Sequence, residues 1–181
     1  RNPMKEELLL MKKTLTVKNL TLAAMFMALN IALSSFGVPV PGGHFYLNDI
    51  VICTAAILLD PFCAFLVGGL GAFIGDLIFY PTPMFVSLVT HGLQAVVISL
   101  FVQKIFKGRE KVGAIIGVII GAIIMVVGYS LGRAFIYSTP EYAILKLPYQ
   151  ILQAAIGAVV SVILCFPCKL RGLYLKATRE E

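Results

Sequence analysis

Apolar stretches near the length of a membrane-spanning helix recur from Val17 to Phe166, separated by short clusters of Pro, Gly and charge. No soluble core of this size needs them. Only 13% of the residues are charged, 59% are hydrophobic and the mean hydropathy is +0.93, whereas an ordinary soluble domain carries about 25% charged residues. The solvent for most of the chain is therefore a bilayer. There a spanning helix needs roughly 20 apolar residues and must satisfy its own backbone hydrogen bonds. Prolines and charges divide the sequence into six expected spans, at about 17–36, 46–59, 61–80, 84–105, 112–133 and 148–168. Asp60-Pro61 reads as a helix start, Asp as N-cap and Pro in the first turn. Pro81, Pro83 and Pro148 read as further boundaries. The fold class expected is all-α, a polytopic six-helix membrane bundle forming one domain over 11–181. Residues 1–10 precede Met11-Lys12-Lys13 and are set aside as an expression remnant or unstructured N-terminus. No cleavable signal peptide is read at this end.

Cation placement orients the bundle. With six spans both termini lie on one side, and all Lys and Arg except Arg133 and Lys146 fall on that side. Both termini are thus expected in the cytoplasm, in a multi-pass protein of a bacterial plasma membrane. The net charge of +6 follows from topology, and nucleic-acid binding is not expected. Cys53, Cys63, Cys165 and Cys168 sit in or beside apolar runs and read as packing residues rather than a disulfide framework. Gly71-x-x-x-Gly75, Gly113-x-x-x-Gly117-x-x-x-Gly121 and Gly128-x-x-x-Gly132 read as sites of close helix packing. Ala24, Ala28 and Ala32 form a smooth stripe on the first span, suited to a neighbouring helix of this chain or of another subunit.

Polar residues in the spans are expensive and mark cavities or partners. Nearly all lie in the outer halves. His91 and Gln94 lie roughly 12 and 17 Å into the fourth span at about 1.5 Å per residue. Asn30 and Asp76 lie nearer the outer ends of spans one and three. Tyr129 and Arg133 occupy the last turns of span five, and Tyr149, Gln150 and Gln153 the first turns of span six. Asn48 and Asp49 open span two. The inner halves, such as GAIIGVIIGAII and AVVSVILCF, are almost purely apolar. The pattern describes a cup open outward over a sealed floor. Loop one, GVPVPGGHFYLND, with His44, Phe45 and Tyr46, suits a lid. Loop five, 133–149, adds Tyr137, Glu141 and Tyr142. Rings with a few amides are the usual lining of a small-molecule site; an interfacial aromatic belt is the other reading of the tyrosines. His91 is read as a ligand contact, with an interhelical hydrogen bond to Asn30 or Asp76 as its alternative. Asp76 is read as structural, and Arg133 and Glu141 have a second reading as solvated loop charges. No phosphate-binding loop, zinc-protease motif or nucleophile elbow is present, so no catalytic residue and no metal site are expected.

The stretches LTLAAMFMALNIALS, GGHFYLNDIVICTAAILLDPFCAFLVGGLGAFIGDLIFY and HGLQ, in a six-span layout, resemble the substrate-binding S components of energy-coupling factor (ECF) vitamin transporters. The resemblance covers essentially 11–170. It implies that Ala24 and Ala28, with Ala32 as an extension, dock a transmembrane coupling subunit. It also implies that two ABC-type ATPases carry the ATP and Mg, with no cofactor in this chain, and that the S component topples to release its ligand. The expected ligand site lies between loop one and helices four to six. HGLQ and the GDL stretch look most like the pyridoxine/hydroxymethylpyrimidine branch. A small neutral heteroaromatic, held by His44, Phe45, Tyr46, Asn48, His91, Gln94, Tyr129, Arg133, Gln150 and Gln153, is the favoured ligand. Pantothenate, paired with Arg133, is the nearest competitor, and riboflavin calls for a larger cup. The rival classes are a stand-alone carrier and an intramembrane enzyme using His91 with Asp76 or Asp49.

Overall fold

A computed structural model describes residues 16–179; the reading of 1–10 lies outside the described residues. The architecture is an all-α bundle with one small hairpin. In chain order it comprises α1 (Val17–Ser34), β1 (Val38–Val40), β2 (Gly43–Phe45), α2 (Asn48–Leu58), α3 (Pro61–Phe79), α4 (Met84–Ile105), α5 (Glu110–Tyr137), α6 (Pro140–Cys165) and α7 (Leu170–Arg179). Five helices, α1 and α3 to α6, are long and apolar enough to cross a membrane. The sequence explains their ends. Thr16 caps α1 by accepting from Asn19 N, and Asp60 caps α3 by accepting from Phe62 N and Cys63 N, with Pro61 in the first turn. The start expected at Asp60-Pro61 is thus observed.

Three helices contain a wide π turn, at Leu66–Leu70, Phe101–Ile105 and Arg133–Tyr137. The first is tied to α1, where Asn30 Nδ2 donates to Val67 O at 2.7 Å. Its glycines bring α3 against α4: a Cβ on Gly68 would stand 2.7 Å from His91 O. The expected glycine packing is found on α5 as well, where Gly117 and Gly121 lie against Ile98 and Gly128 against Thr90. α4 sits centrally, packed on α2, α3 and α5, while α6 packs on α2 and α5.

Loop one forms the hairpin. Val38 pairs with Phe45, Pro39 with His44 and Val40 with Gly43. Its turn, Pro41-Gly42, needs Gly at φ 80°, a positive angle that follows a proline in a type II turn.

One expected boundary is corrected. Pro148 lies inside α6 rather than at its start. Ser138-Thr139-Pro140-Glu141 carries the stronger start signal, with Pro in the first turn and an acidic residue beside it. A membrane helix tolerates the one backbone bond that Pro148 omits. Loop five therefore shrinks to Ser138 and Thr139, and most residues expected there are helical. Span two, short already as expected at about 46–59, is observed as α2 with 11 residues, about 16 Å of helix against the roughly 30 Å of a hydrocarbon core.

The two ends of the bundle differ. Tyr174 Oη donates to Asn19 Oδ1 (3.3 Å), and Arg171 donates to Ile57 O (2.9 Å). The start of α1, the end of α2 and α7 thus share one end. The apolar core fills that half, with Ile52, Ile57, Leu59, Val67, Ile98, Val102 and Val118. Cys53, Cys63 and Cys165 pack within it, whereas Cys168 is exposed rather than packed.

Candidate functional site

The polar residues gather at the other end, around a cavity of about 300 Å³. Its walls come from every long helix. Ser34 ends α1; Ala72 and Asp76 lie on α3, with Tyr80 just past its end; His91 on α4; Met125, Tyr129, Arg133 and Tyr137 on α5; Tyr142, Lys146, Gln150 and Gln153 on α6. The hairpin and the start of α2 contribute Gly42, Gly43, His44, Tyr46 and Asn48.

Below the cavity a buried polar network is centred on Asp49, in the first turn of α2 and 1% exposed. Its Oδ1 accepts from Gln94 Nε2 at 3.1 Å and its Oδ2 from Gln153 Nε2 at 2.7 Å. The carboxylate fixes both amide orientations, because each nitrogen must point at it. Gln94 Oε1 therefore faces His91 Nδ1 at 2.7 Å, so Nδ1 carries the proton and donates. His91 Nε2 is left as an acceptor on a ring that lines the cavity. Gln153 Oε1 meanwhile accepts from Tyr46 N at 3.1 Å, which joins loop one to α6. Gly157 permits the whole arrangement, since a Cβ there would stand 2.6 Å from Asp49 Cβ.

The upper wall is built of rings and cations. Arg133 donates to Gln150 Oε1 at 3.1 Å and lies 5.6 Å from the centre of the Tyr137 ring. Lys146, 2% exposed, donates to His44 O. His44 meets the edge of Tyr80 at 5.7 Å between ring centres, and His91 meets Tyr129 at 5.2 Å. Tyr46, in the loop, has its hydroxyl pushed up to about 12, first by burial and then by the charges of Asp76 and Tyr80. It is a neutral phenol at any ordinary pH. Among the described residues nothing partners the buried Asn48 Oδ1 or Tyr137 Oη, and both residues line the cavity.

Of the ten residues expected at the site, the structure brings eight to the cavity surface: His44, Tyr46, Asn48, His91, Tyr129, Arg133, Gln150 and Gln153. Phe45 and Gln94 do not line it. The side chain of Gln94 is turned down to Asp49 and that of Phe45 belongs to the hairpin. His91 bonds to Gln94 and stands 3.9 Å from Asp49, in place of the alternative partners Asn30 or Asp76. Arg133 is a wall residue rather than a solvated loop charge, whereas Glu141 is exposed. Asp76, expected to tie span three to a neighbour, does so by accepting from Ser87 of α4, and it also lines the cavity. Tyr142, named with loop five, lines the cavity too; Tyr80 was missed, and Lys146 was left out of the ten. The buried positions 143, 146, 150, 153, 154 and 157 of α6 follow a helical period, and extending the Gln150–Gln153 stripe back past Pro148 would have found Lys146.

A helical membrane bundle with a blind polar cavity at one end and an apolar plug at the other defines a class: a membrane-embedded small-molecule binder. Comparison with known proteins agrees. Residues 14–169 match the family described as ECF-type riboflavin transporter, S component, and the chain belongs to that S-component family. A thiamine precursor transporter, HmpT of Lactococcus lactis subsp. cremoris, is 31% identical over 153 residues, covering 82% of this chain and 86% of that relative. An uncharacterized protein of Pyrococcus woesei is 32% identical over 126 residues, covering 68% and 82% respectively. The protein is thus a multi-pass membrane protein of a transporter family whose S components serve vitamin-type small molecules.

Proposed function

We propose that this chain is the ligand-capturing subunit of an ECF-type importer, and that its ligand is a single substituted heteroaromatic ring of the hydroxymethylpyrimidine or pyridoxine kind. The observation that carries the reading is the size and lining of the cavity. A volume of about 300 Å³ stands at the lower end of the range for small-molecule sites, and rings with amides form its walls. The tricyclic, sugar-alcohol-bearing riboflavin of the family's description is large for this space. Pantothenate, an anion, fits less well: Arg133 is already engaged by Gln150 and Tyr137, and the carboxylate of Asp76 lines the same cavity. The thiamine precursor named for the relative at 31% identity is a ring of the right size.

In this reading the cavity faces outward and both termini are cytoplasmic. Ala24, Ala28 and Ala32 are exposed along α1 and form the docking face for the transmembrane coupling subunit. Two ABC-type ATPases bind ATP and Mg and drive release. The chain itself holds no cofactor and catalyses nothing, and nucleic acid is no partner. Titration calorimetry of the purified chain against hydroxymethylpyrimidine, pyridoxine, pantothenate, thiamine and riboflavin tests the ligand. Tight binding of a one-ring ligand is expected; tight binding of riboflavin or pantothenate alone refutes the reading. A stand-alone carrier, the alternative, would support uptake in cells lacking the coupling subunit.

A further inference from the structure

Asp49 and Asp76 carry the carboxylates set beneath the cavity and in its wall, while Glu141 at the same end is exposed, and the first two are served unequally. Asp49 has both oxygens filled by amide donors and lies beneath the cavity surface. Asp76, one turn before the end of α3, lines the cavity itself. Its Oδ2 accepts the hydroxyl of Ser87, and Ser87 Oγ in turn accepts the hydroxyl of Tyr129. Each of these hydroxyls has a single proton, so both are committed. Among the described residues, nothing donates to Asp76 Oδ1 and no Lys, Arg or His side chain lies within 4.0 Å of the carboxylate. The two cations of the cavity are turned elsewhere, Lys146 to His44 O and Arg133 to Gln150 and Tyr137. A carboxylate at membrane depth with an open oxygen is costly unless a donor meets it. His91 Nε2 adds a second acceptor lining the cavity. These acceptors call for N–H or O–H donors on the ligand.

We propose that Asp76 is a specificity residue whose Oδ1 accepts from an amino group on the ligand ring, so that the site selects amino-substituted heteroaromatic rings over rings lacking the amine. The inference rests on the functional reading above and narrows it toward the aminopyrimidine rather than the pyridine. Sites built around a polar contact reject analogues that lack the partner, because the protein group is then left unpaired. Ser87 and Tyr129 hold the carboxylate in place as positioning residues.

Titration calorimetry on the purified full chain uses two probes, the hydroxymethylpyrimidine with its ring amine and the analogue with hydrogen in its place. The wild type is expected to prefer the amine by about 100-fold, the scale of one lost charge-assisted hydrogen bond. Asp76→Asn and Asp76→Ser are expected to reduce that preference to about threefold or less. A purely structural role would weaken both probes alike and leave the ratio intact; that result, or a preference retained in either folded variant, overturns the proposal. Equal binding of the two probes by the wild type overturns it without any variant. Binding of neither probe by the wild type overturns the ligand class as well, which separates the two failures.

Discussion

Asp49→Asn tests the floor of the cavity with almost no change in shape. The carboxylate accepts two amide hydrogen bonds, at 3.1 and 2.7 Å, each of a kind that contributes about 1.5–3 kcal/mol. An amide in its place has one oxygen and one NH₂, so one glutamine keeps a neutral bond of about 1 kcal/mol while the other faces donor against donor. Burying a neutral amide costs less than burying a charge, which offsets part of the loss. The net destabilisation comes to about 2–3 kcal/mol, or roughly 5–10 °C in melting temperature for a chain of this length. The second effect is more telling. If Gln94 turns its amide to relieve the conflict, its oxygen leaves His91 Nδ1, and the ring loses the acceptor that fixes its proton there. Nitrogen NMR on a chain with only two histidines reads this directly: Nδ1–H in the wild type, and a mixture or Nε2–H in Asp49→Asn. Ligand affinity should fall by about 10- to 100-fold, as one acceptor becomes a donor. A variant that melts within a degree of wild type with Nδ1 still protonated would refute the network as described.

Gly157→Ala places a methyl 2.6 Å from Asp49 Cβ and should cost about 1–3 kcal/mol by forcing α6 from α2; a thermal melt in detergent checks it. Ala24→Leu with Ala28→Leu, both on an exposed face, should leave melting temperature and ligand affinity unchanged while abolishing co-purification with the coupling subunit. Intact association would remove the docking role. Tyr46 should remain protonated at pH 10, where an ordinary phenol is half ionised, because its value lies near 12. Its folded value is raised, so the stability linked to it is complete below about pH 10 and is lost between there and about 12; the tyrosinate absorbance difference between wild type and Tyr46→Phe reports it.

The helices and the gathering of their polar residues toward one end were legible in the sequence because a bilayer leaves few options: apolar length and prolines set spans directly. His91, Gln150 and Gln153 stood out for the same reason, as polar groups where only function or pairing excuses them. Three things were not legible. Loop and helix compete for a segment such as 138–149, and Pro148 argued for a break that the Thr139-Pro140-Glu141 start overrode. The roles of polar residues depend on which neighbour each one meets. Gln94 went to the buried carboxylate, while Asp76, which braces α3 on α4 through Ser87 as expected, also came to the cavity, with one oxygen open among the described residues. Loop one offered prolines and glycines but no signal that it would enter the bundle as a hairpin.

The shortness of α2 explains why a cavity exists at all. Every residue from Val51 to Leu59 is buried, so the helix occupies a full position in the bundle, yet its 11 residues fill only about half the thickness of the hydrocarbon core. It ends with the core at the terminal end, where Arg171 donates to Ile57 O, and it begins at Asn48 in the cavity wall. The unfilled half of that position is taken by the hairpin and by open space. Asn48 and Asp49 thus come to the level of Gln94 and Gln153, at a helix N-terminus whose dipole favours a negative charge. A full-length span in the same place would carry apolar side chains through this volume and leave His91, Gln150 and Asp76 with nothing to face. The cavity is, in physical terms, the missing half of the second span, and if it is the ligand site, lengthening α2 by apolar residues ahead of Asn48 should abolish binding before it abolishes folding.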